Sequence, residues 1–471
     1  MRHFDLAVIG SGPAGQKAAI QAAKLGKSVC VVERTALGGG AVNTGTIPSK
    51  TLREAVLDLT GRGHVLGHDV SQLVDRETQF RILMDSCQRV VNSKVNVVRK
   101  QFARNGVKVA IGSAAFLDEH TITVKATQKE KTLKADYIVI AVGSVAAKPS
   151  NIPFDSNLIF TADELYENAR GAARSIIVVG GGVIGTEYAS MATRFGISVT
   201  LVEGRNRVLD FVDIEIGETL QYHLRQTGMT LRLGEKVLKV EVIDPPPGSR
   251  PGSEKMVEAT LESGKVLRAD RLLYSVGRQG ATGELNLGAA GLNADQRGRI
   301  AVNENYQTVV DHVYACGDVI GFPALAATSM EQGRVGCCHM FDQPAESLPH
   351  LFPYGIYSIP EISMIGKTEE QLTAEAVPFE RGVAQYKEIS RGQILGDDIG
   401  MLKLLAHQKT HEILGVHIIG TGATELIHIG QAVMATNGTV DYLVNAVFNY
   451  PTLAECYKVA ALNALNKLRG T

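Results

Sequence analysis

The sequence predicts an α/β protein in which one dinucleotide-binding unit is inserted into another and a separate α+β domain follows. A strand–glycine–helix–strand pattern near the N-terminus recurs 170 residues later. From about residue 348 the hydrophobic pattern changes to short alternating strands, as in antiparallel sheets. At 471 residues the chain is also too long for one core, which favours several domains.

The composition is that of an ordinary globular protein. Hydrophobic residues make up 45% of the chain and charged residues 21%, and the formal net charge is −1. This balance gives no electrostatic argument for a nucleic-acid or membrane partner. The N-terminus lacks the apolar run of a signal peptide, and no stretch approaches the roughly 20 apolar residues of a membrane span. We therefore expect a cytoplasmic protein.

The first unit carries the full context of a dinucleotide motif. A short strand at 6–9 leads into glycines, an alanine-rich helix follows, and a second strand at 29–32 ends in an acidic residue; the motif residues are Gly10, Gly12, Gly15 and Glu33. The second glycine lets a pyrophosphate approach the backbone, and the third allows the helix to pack on the strand. The helix N-terminus offers free N–H groups to phosphates, and the acid suits the ribose hydroxyls.

The second unit repeats this Rossmann-type pattern. Each of its motif residues lies 170 positions after its counterpart, at Gly180, Gly182, Gly185 and Glu203. Two dinucleotide sites in one chain imply two different dinucleotides, which usually exchange a hydride. The sequence therefore predicts a redox enzyme.

Further segments complete these units. Residues 135–144 read as a strand ending in a Gly-Ser turn, and a strand in 312–333 delivers Asp318 at its end. That acid either contacts a ribityl chain or caps the following helix. Residues 80–102 predict an amphipathic helix with Cys87 on its apolar face.

The remaining segments fit the same outline. The run 244–253 reads as a solvated Pro/Gly/Ser loop, and 423–436 and 452–468 predict helices in the last domain. The six cysteines show neither a CxxC pair nor metal-ligand spacing, so no metal site is predicted.

Five separated landmarks carry a family resemblance: GSGPAG, NTGTIPSK, VVGGGVIGTE, VYACGD and NYPTLAE. With these the chain resembles the pyridine nucleotide–disulfide oxidoreductases, the group of glutathione reductase. The resemblance implies a glutathione reductase-like fold with FAD in the first unit and a nicotinamide cofactor in the second. It also implies a homodimer, or a larger homo-oligomer, formed through a C-terminal dimerisation domain. The expected domains are 1–152 and 275–347 for FAD, 153–274 for NAD(P) and 348–471 for dimerisation.

The same resemblance supplies additional site residues. The lysine of the Ile-Pro-Ser-Lys motif and the glutamate of the second glycine motif map to Lys50 and Glu187, which are expected beside the flavin N5. Lys50 would stabilise the reduced flavin, or the pair would join two domains; both roles are compatible. Further cofactor-binding positions that the resemblance implies are Ala114, Gly143, Ala326 and Gly277.

Two parts of the family's thiol chemistry are missing. The two cysteines that precede Ile-Pro-Ser-Lys in the family are Ala41 and Thr46 here, and neither forms a thiolate. The family's His-Pro near the C-terminus is Tyr450-Pro451, followed by Glu455, and a phenol is a poor proton carrier at neutral pH. The chain is therefore not expected to be a disulfide reductase.

Three segments resemble those of the soluble pyridine nucleotide transhydrogenases: the NTGTIPSK loop, the FNYPT turn and the helix with Glu425 and 428–432. That resemblance implies ping-pong hydride transfer through flavin N5 between NADPH or NADH and NAD+ or NADP+. One alternative is an NAD(P)H dehydrogenase, or diaphorase, that reduces a quinone or another small acceptor. Another is a non-catalytic flavoprotein, which the intact second glycine motif disfavours.

The sequence does not decide between NAD and NADP as the preferred nucleotide. Glu203 suits the free 2′-hydroxyl of NAD and repels the 2′-phosphate of NADP. Arg205 and Arg207 follow closely and either bind that phosphate or lie on the surface as solvated charges.

Overall fold

The computed structural model describes residues 2–61, 74–127, 129–168, 171, 173–245, 255–345 and 351–469. Within these ranges the strands are β1 (Arg2–Ile9), β2 (Val29–Glu33), β3 (Lys108–Ile111), β4 (Ser113–Asp118), β5 (Thr121–Lys125), β6 (Glu130–Ile140), β7 (Ser144–Ala146), β8 (Ile159–Thr161), β9 (Ser175–Val179), β10 (Ser198–Glu203), β11 (Thr230–Leu233), β12 (Val237–Ile243), β13 (Met256–Leu261), β14 (Val266–Ala269), β15 (Arg271–Tyr274), β16 (Arg278–Gly280), β17 (Val313–Ala315), β18 (Tyr354–Ile356), β19 (Ile362–Gly366), β20 (Phe379–Gln385), β21 (Met401–His407) and β22 (Ile413–Ile419).

The α-helices of the same ranges are α1 (Pro13–Lys24), α2 (Gly39–Asn43), α3 (Thr46–Thr60), α4 (Arg76–Arg104), α5 (Leu165–Asn168), α6 (Val183–Arg194), α7 (Ile214–Gln226), α8 (Ala326–Met340), α9 (Glu369–Ala374), α10 (Ser390–Leu395), α11 (Ala423–Ala435), α12 (Val440–Asn445) and α13 (Glu455–Leu468).

The first sheet has seven strands in the order β3-β2-β1-β6-β5-β4, with β17 also paired to β6. Strands β3, β2, β1, β6 and β17 run parallel, whereas β5 and β4 are antiparallel additions. Because both faces of the parallel strands are covered, β2 is buried along its whole length. The predicted strand at 6–9 extends back to Arg2, and the predicted helix at 80–102 is part of α4.

The second unit lies within the first along the chain. Its sheet is parallel, in the order β11-β10-β9-β15-β8, and a three-stranded antiparallel sheet, β12-β13-β14, accompanies it. The antiparallel pair β7 and β16 lies where the chain leaves the first unit and returns to it. The nested α/β organisation is therefore confirmed, while most of the loop predicted at 244–253 falls outside the described residues.

The C-terminal part is an antiparallel sheet in the order β18-β19-β22-β21-β20, packed against α11 and α13. Its alternation and its helices agree with the predicted α+β domain. The domain boundary predicted at 347–348 lies outside the described residues. Among the described helices, none is both long and apolar enough to cross a membrane.

A buried lysine joins the C-terminal sheet to the second unit. The side chain of Lys403, on β21, is fully buried, and its Nζ lies 2.8 Å from Asp213 Oδ1 and 2.7 Å from Glu369 Oε1. Asp213 precedes α7, and its Oδ1 accepts a hydrogen bond from the first turn of that helix. We call Lys403, Asp213, Glu369 and Glu215 the interdomain charge cluster, since Glu215 Oε2 also lies 3.0 Å from the lysine.

Candidate active site

One cavity of about 1130 Å³ lies where the ends of β1 and β6 face α3, α6 and the C-terminal sheet. Its lining includes eleven of the sixteen residues predicted to be catalytic or cofactor-binding, namely Gly10, Gly12, Glu33, Lys50, Ala114, Gly143, Gly182, Glu187, Gly277, Asp318 and Ala326. The other five are not among its lining residues: Gly15, Gly180, Gly185, Glu203 and Arg205. Residues of both glycine motifs therefore line the same cavity.

The first glycine motif has the geometry that a pyrophosphate requires. Gly10 has φ +105°, and a Cβ there would lie 2.3 Å from Ala141 O, whereas a Cβ at Gly12 would meet nothing within 4 Å. A Cβ at Gly15 would lie 2.0 Å from Gly10 O, so this glycine serves packing. Among described side chains none caps α1, which leaves the N–H groups of its first turn for an anion. These residues fit the phosphates of FAD.

Glu33 ends β2 inside the cavity and is 7% exposed. Its Oε2 accepts hydrogen bonds from Ser11 N at 3.0 Å and Ser11 Oγ at 2.6 Å. Its Oε1 accepts a longer bond from Thr35 N at 3.2 Å. The glycine loop thus orients the carboxylate, whose remaining lone pairs suit ribose hydroxyls.

Asp318 also lines the cavity and does not cap the following α-helix. It begins a 3₁₀ turn, Asp318–Ile320, and α8 starts only at Ala326. Its Oδ2 accepts a hydrogen bond from Ser144 Oγ at 2.8 Å, and Ser144 Oγ accepts one from Arg278 Nε at 2.8 Å. Arg278 also contacts Asp163 Oδ1 at 3.0 Å. Sequence reasoning missed Arg278 because it lies 134 residues from Ser144 and carries no motif.

The second glycine motif has the same backbone geometry. Gly180 also has φ +105°, and a Cβ at Gly185 would lie 1.9 Å from Gly180 O. A Cβ at Gly182 would meet nothing within 4 Å, and this residue precedes α6 and faces the cavity. The motif therefore presents a second helix N-terminus to the same space.

Glu203 and Arg205 form a bidentate pair beyond the cavity. Arg205 Nε lies 2.9 Å from Glu203 Oε1, and its second terminal nitrogen lies 2.9 Å from Glu203 Oε2. Burial raises the pKa of Glu203, but the hydrogen bonds from Arg205 outweigh it, so the net pKa is below the usual range. Arg205 also pairs with Asp210, and Arg207 lies 2.8 Å from Glu370. Both arginines are thus paired with acids, unlike freely solvated surface charges.

Lys50 and Glu187 meet on the wall of the cavity. Lys50 Nζ, on α3, lies 2.8 and 2.6 Å from the two carboxylate oxygens of Glu187, on α6. Glu187 Oε1 also accepts a hydrogen bond from Tyr357 N at 2.8 Å, and Lys50 Nζ lies 4.9 Å from the Tyr357 ring centroid. One carboxylate therefore joins three segments of the chain. The sequence does not predict the role of Tyr357, because this residue binds Glu187 through its backbone N–H, which almost any residue could supply.

The thiol positions lie on the same wall without sulfur. Ala41 belongs to α2, Thr46 begins α3, and both line the cavity. All six cysteines are described, free and buried. Burial raises the pKa of Cys30 to about 11 and that of Cys87 to about 12, which disfavours the thiolate. The predicted place of Cys87 in the core is confirmed.

Tyr450 and Glu455 do not reach this cavity in their own chain. Tyr450 is exposed, and its hydroxyl lies 2.5 Å from Ser390 Oγ. Glu455 Oε2 is buried without a hydrogen-bond partner among the described residues. Residues of α11, including His428, also line the cavity.

Comparison with protein families gives two matches that together span most of the chain. Residues 4–333 match the family described as pyridine nucleotide-disulphide oxidoreductase. Residues 352–461 match the dimerisation domain of that family.

Two relatives that are similar over the full length carry the same name. A soluble pyridine nucleotide transhydrogenase of Mycobacterium tuberculosis is 52% identical, with 100% of this chain and 98% of the relative covered. The protein of that name from Photobacterium profundum is 44% identical, with 99% and 98% covered. Among solved structures, the Cu(II) complex of the HOCl-induced flavoprotein disulfide reductase RclA of Escherichia coli has a TM-score of 0.87 at 25% identity, with 98% and 99% covered.

Proposed function

Because this chain belongs to the pyridine nucleotide-disulphide oxidoreductase family, we propose that it transfers hydride between NAD(H) and NADP(H) through one bound FAD, without a redox disulfide. One observation carries this proposal: both glycine motifs end in a single cavity, whose wall holds the Lys50–Glu187 pair and lacks thiols at Ala41 and Thr46. The names of the full-length relatives support the same reaction.

Each residue has a definite task in the proposed reaction. When bound, FAD supplies the ring that takes hydride from one nicotinamide and returns it to another. Gly12 and the first turn of α1 bind its pyrophosphate, Glu33 binds ribose hydroxyls, and Asp318 binds the ribityl chain. Lys50, held by Glu187, places a positive charge beside the ring and favours the extra negative charge of its reduced form.

The single cavity also determines the proposed order of binding. Since both nicotinamides would use the helix end at Gly182, one has to leave before the other binds. Ping-pong kinetics follow from this exchange. The Glu203–Arg205 pair supports the use of both nucleotides, because an arginine beside the acid offsets its repulsion of a 2′-phosphate.

Assembly as a homodimer is part of the proposal. Its support is the match of residues 352–461 to a dimerisation domain, together with the exposure of Val447 and Tyr450 in this part of the chain. A partner subunit would cover these apolar groups.

The test is anaerobic stopped-flow absorbance at the flavin band. The holoenzyme is reduced with NADPH, freed of nucleotide, and mixed with NAD+ or its thio-analogue; a mixture without acceptor is the control. We expect rapid reoxidation with one reduced nucleotide formed per flavin. If NADPH reduces the enzyme and only a quinone reoxidises it, the chain is an NAD(P)H dehydrogenase instead. If neither NADPH nor NADH bleaches the flavin, the protein is not a hydride-transfer enzyme.

A further inference from the structure

The turn that follows β10 lies against the second glycine motif. Leu209 N donates a hydrogen bond to Gly181 O at 2.9 Å, and a Cβ at Gly181 would lie 2.9 Å from Val208 Cγ1. Gly181 N in turn donates a hydrogen bond to Glu203 Oε2 at 2.6 Å. The turn therefore carries its two arginines to the end of the proposed nucleotide site where the acid of β10 would meet a ribose.

The two arginines of this turn are held unequally. Arg205 forms the bidentate pair with Glu203 and also pairs with Asp210, so three of its nitrogens are occupied. Arg207 makes its closest contacts through one terminal nitrogen, Nη2, which donates to Asp210 O at 2.6 Å and lies 2.8 Å from Glu370 Oε1. The side chains of this last ion pair are 27% and 40% exposed, so the pair is weak. An incoming anion therefore takes over Arg207 more easily than Arg205.

Glu370 reaches this turn from the C-terminal part of the chain. It lies in the first turn of α9, which a capping box beginning at Thr368 fixes at its start. The preceding residue, Glu369, is bound by the fully buried Lys403 of the interdomain charge cluster. Because its helix is anchored in this way, the carboxylate of Glu370 is held at a defined place beside the turn.

A carboxylate and a phosphate compete for the same guanidinium, since arginine binds both through the same planar set of N–H donors. A 2′-phosphate that binds Arg207 has to displace Glu370 or to lie beside it, where the two anions repel each other. A nucleotide without this phosphate leaves the ion pair of Arg207 and Glu370 intact. The carboxylate therefore opposes one of the two nucleotides and is neutral towards the other.

We propose that Glu370 is a specificity-determining residue that competes with the 2′-phosphate of NADP(H) for Arg207. NADP(H) is thereby bound less tightly than the two arginines of the turn alone would allow. Glu370 is not among the residues that line the active-site cavity, so it acts on the adenosine end of the nucleotide and not on the nicotinamide. This inference rests on the proposed function, because it concerns the nucleotide that the second glycine motif would bind.

The test uses two nucleotide fragments that differ only in the 2′-phosphate. Adenosine 2′,5′-bisphosphate and 5′-AMP are titrated into the oxidised holoenzyme by isothermal calorimetry at constant ionic strength. Glu370→Gln should lower the Kd of the bisphosphate about threefold to fivefold, as for one partly exposed charge pair, and leave the Kd of 5′-AMP unchanged. Arg207→Gln should raise the Kd of the bisphosphate, and adding Glu370→Gln to that variant should have no further effect.

Glu375→Gln is the matched control. This glutamate follows the last residue of α9, is 47% exposed and pairs with Lys367, so its replacement changes the net charge equally without releasing Arg207. We expect both Kd values to stay unchanged in this variant.

Four outcomes would each overturn the proposal. They are absence of bisphosphate binding, an unchanged Kd of the bisphosphate in Glu370→Gln, an equal effect of Glu375→Gln, and an effect of Glu370→Gln that persists without Arg207. Both fragments lack a nicotinamide, so none of these outcomes bears on hydride transfer, which the stopped-flow experiment tests separately.

Discussion

The carboxylate of Glu187 binds two partners from distant parts of the chain, Lys50 and Tyr357. It is nearly fully buried and accepts hydrogen bonds from Lys50 Nζ and Tyr357 N. A buried carboxylate that loses its cation keeps the desolvation cost without the compensating attraction. The pair is therefore expected to matter both for stability and for the charge beside the cofactor.

Replacing Lys50 by Met should separate these two roles. We expect a loss of about 1–3 kcal/mol in the free energy of unfolding, because Glu187 is left without its cation. The rate of flavin bleaching by NADPH should fall by about 10²-fold, as when one electrostatic group is removed from an active site. Urea unfolding and stopped-flow absorbance measure the two quantities.

The double variant Lys50→Met/Glu187→Gln is the control for that experiment. It should recover most of the stability, since the unpaired charge is gone, but not the rate. Recovery of both quantities would assign the pair a purely structural role.

Arg205 should select for the 2′-phosphate. Arg205→Ala is expected to raise the KM for NADPH about 10–100-fold, as expected for a lost charge-assisted hydrogen bond of about 1.5–3 kcal/mol. The KM for NADH should change far less, and kcat should change little for either. Steady-state kinetics with each nucleotide measure this, and an equal rise in both KM values would contradict the assignment.

Among the secondary-structure elements of the C-terminal part, α13 packs directly against β20. A Cβ at Gly382 would lie 1.9 Å from Ala460 O and 2.9 Å from Ala464 Cβ. The strand therefore needs a glycine for the helix to reach its packed position, and α13 supplies buried residues to the core of this part.

Gly382→Ala should displace α13 and lower the free energy of unfolding by about 1–3 kcal/mol, the usual cost of overpacking. Gly283→Ala is the matched control: a Cβ there meets nothing within 4 Å, and this residue is exposed. Thermal unfolding of both variants measures the difference. Equal transition temperatures would mean that the helix adjusts without cost.

Local sequence patterns predict individual elements, but they do not predict contacts between residues that are distant in the sequence. Strands β1 and β10, their glycines and the amphipathic α4 follow from periodicity within a few tens of residues. The pairing of Arg278 with Ser144 joins residues 134 apart, and that of Lys403 with Asp213 joins residues 190 apart. Such contacts depend on how whole units pack, so no local motif marks these residues.

On the scale of the whole molecule, a buried histidine lies beside the interdomain charge cluster. His417, on β22, is 1% exposed, and its Nε2 lies 2.9 Å from Lys367 O. Burial lowers the pKa of His417 below its usual value, and the charge of Lys403 adds to this, against the opposing pull of Asp213 and Glu369. The folded protein therefore favours the neutral ring.

This shift gives stability a definite pH dependence. The pKa of His417 is lower in the folded protein than in the unfolded chain. Its contribution to the free energy of unfolding is therefore complete above the unfolded-state pKa of about 6.5 and is lost as the pH falls towards the folded-state pKa. In that window the folded protein should lose up to about 1.4 kcal/mol per pH unit through this residue. Urea unfolding between neutral and mildly acidic pH measures the slope.

His417→Gln should flatten this part of the pH profile, whatever its effect on stability at neutral pH. The residual slope then belongs to other groups, such as His223, whose pKa is also lowered by burial. An unchanged slope in the variant would show that His417 does not titrate in this range.

The interdomain charge cluster also bears on how such a chain evolves by recombination. Asp213 and Lys403 are both fully shielded from solvent, yet they belong to parts of the chain that gene fusion would exchange separately. A chimera that acquires a C-terminal part without the lysine inherits a buried, uncompensated carboxylate, which is strongly destabilising. The two parts are therefore expected to be inherited together, and a grafted C-terminal part has to bring its own cation.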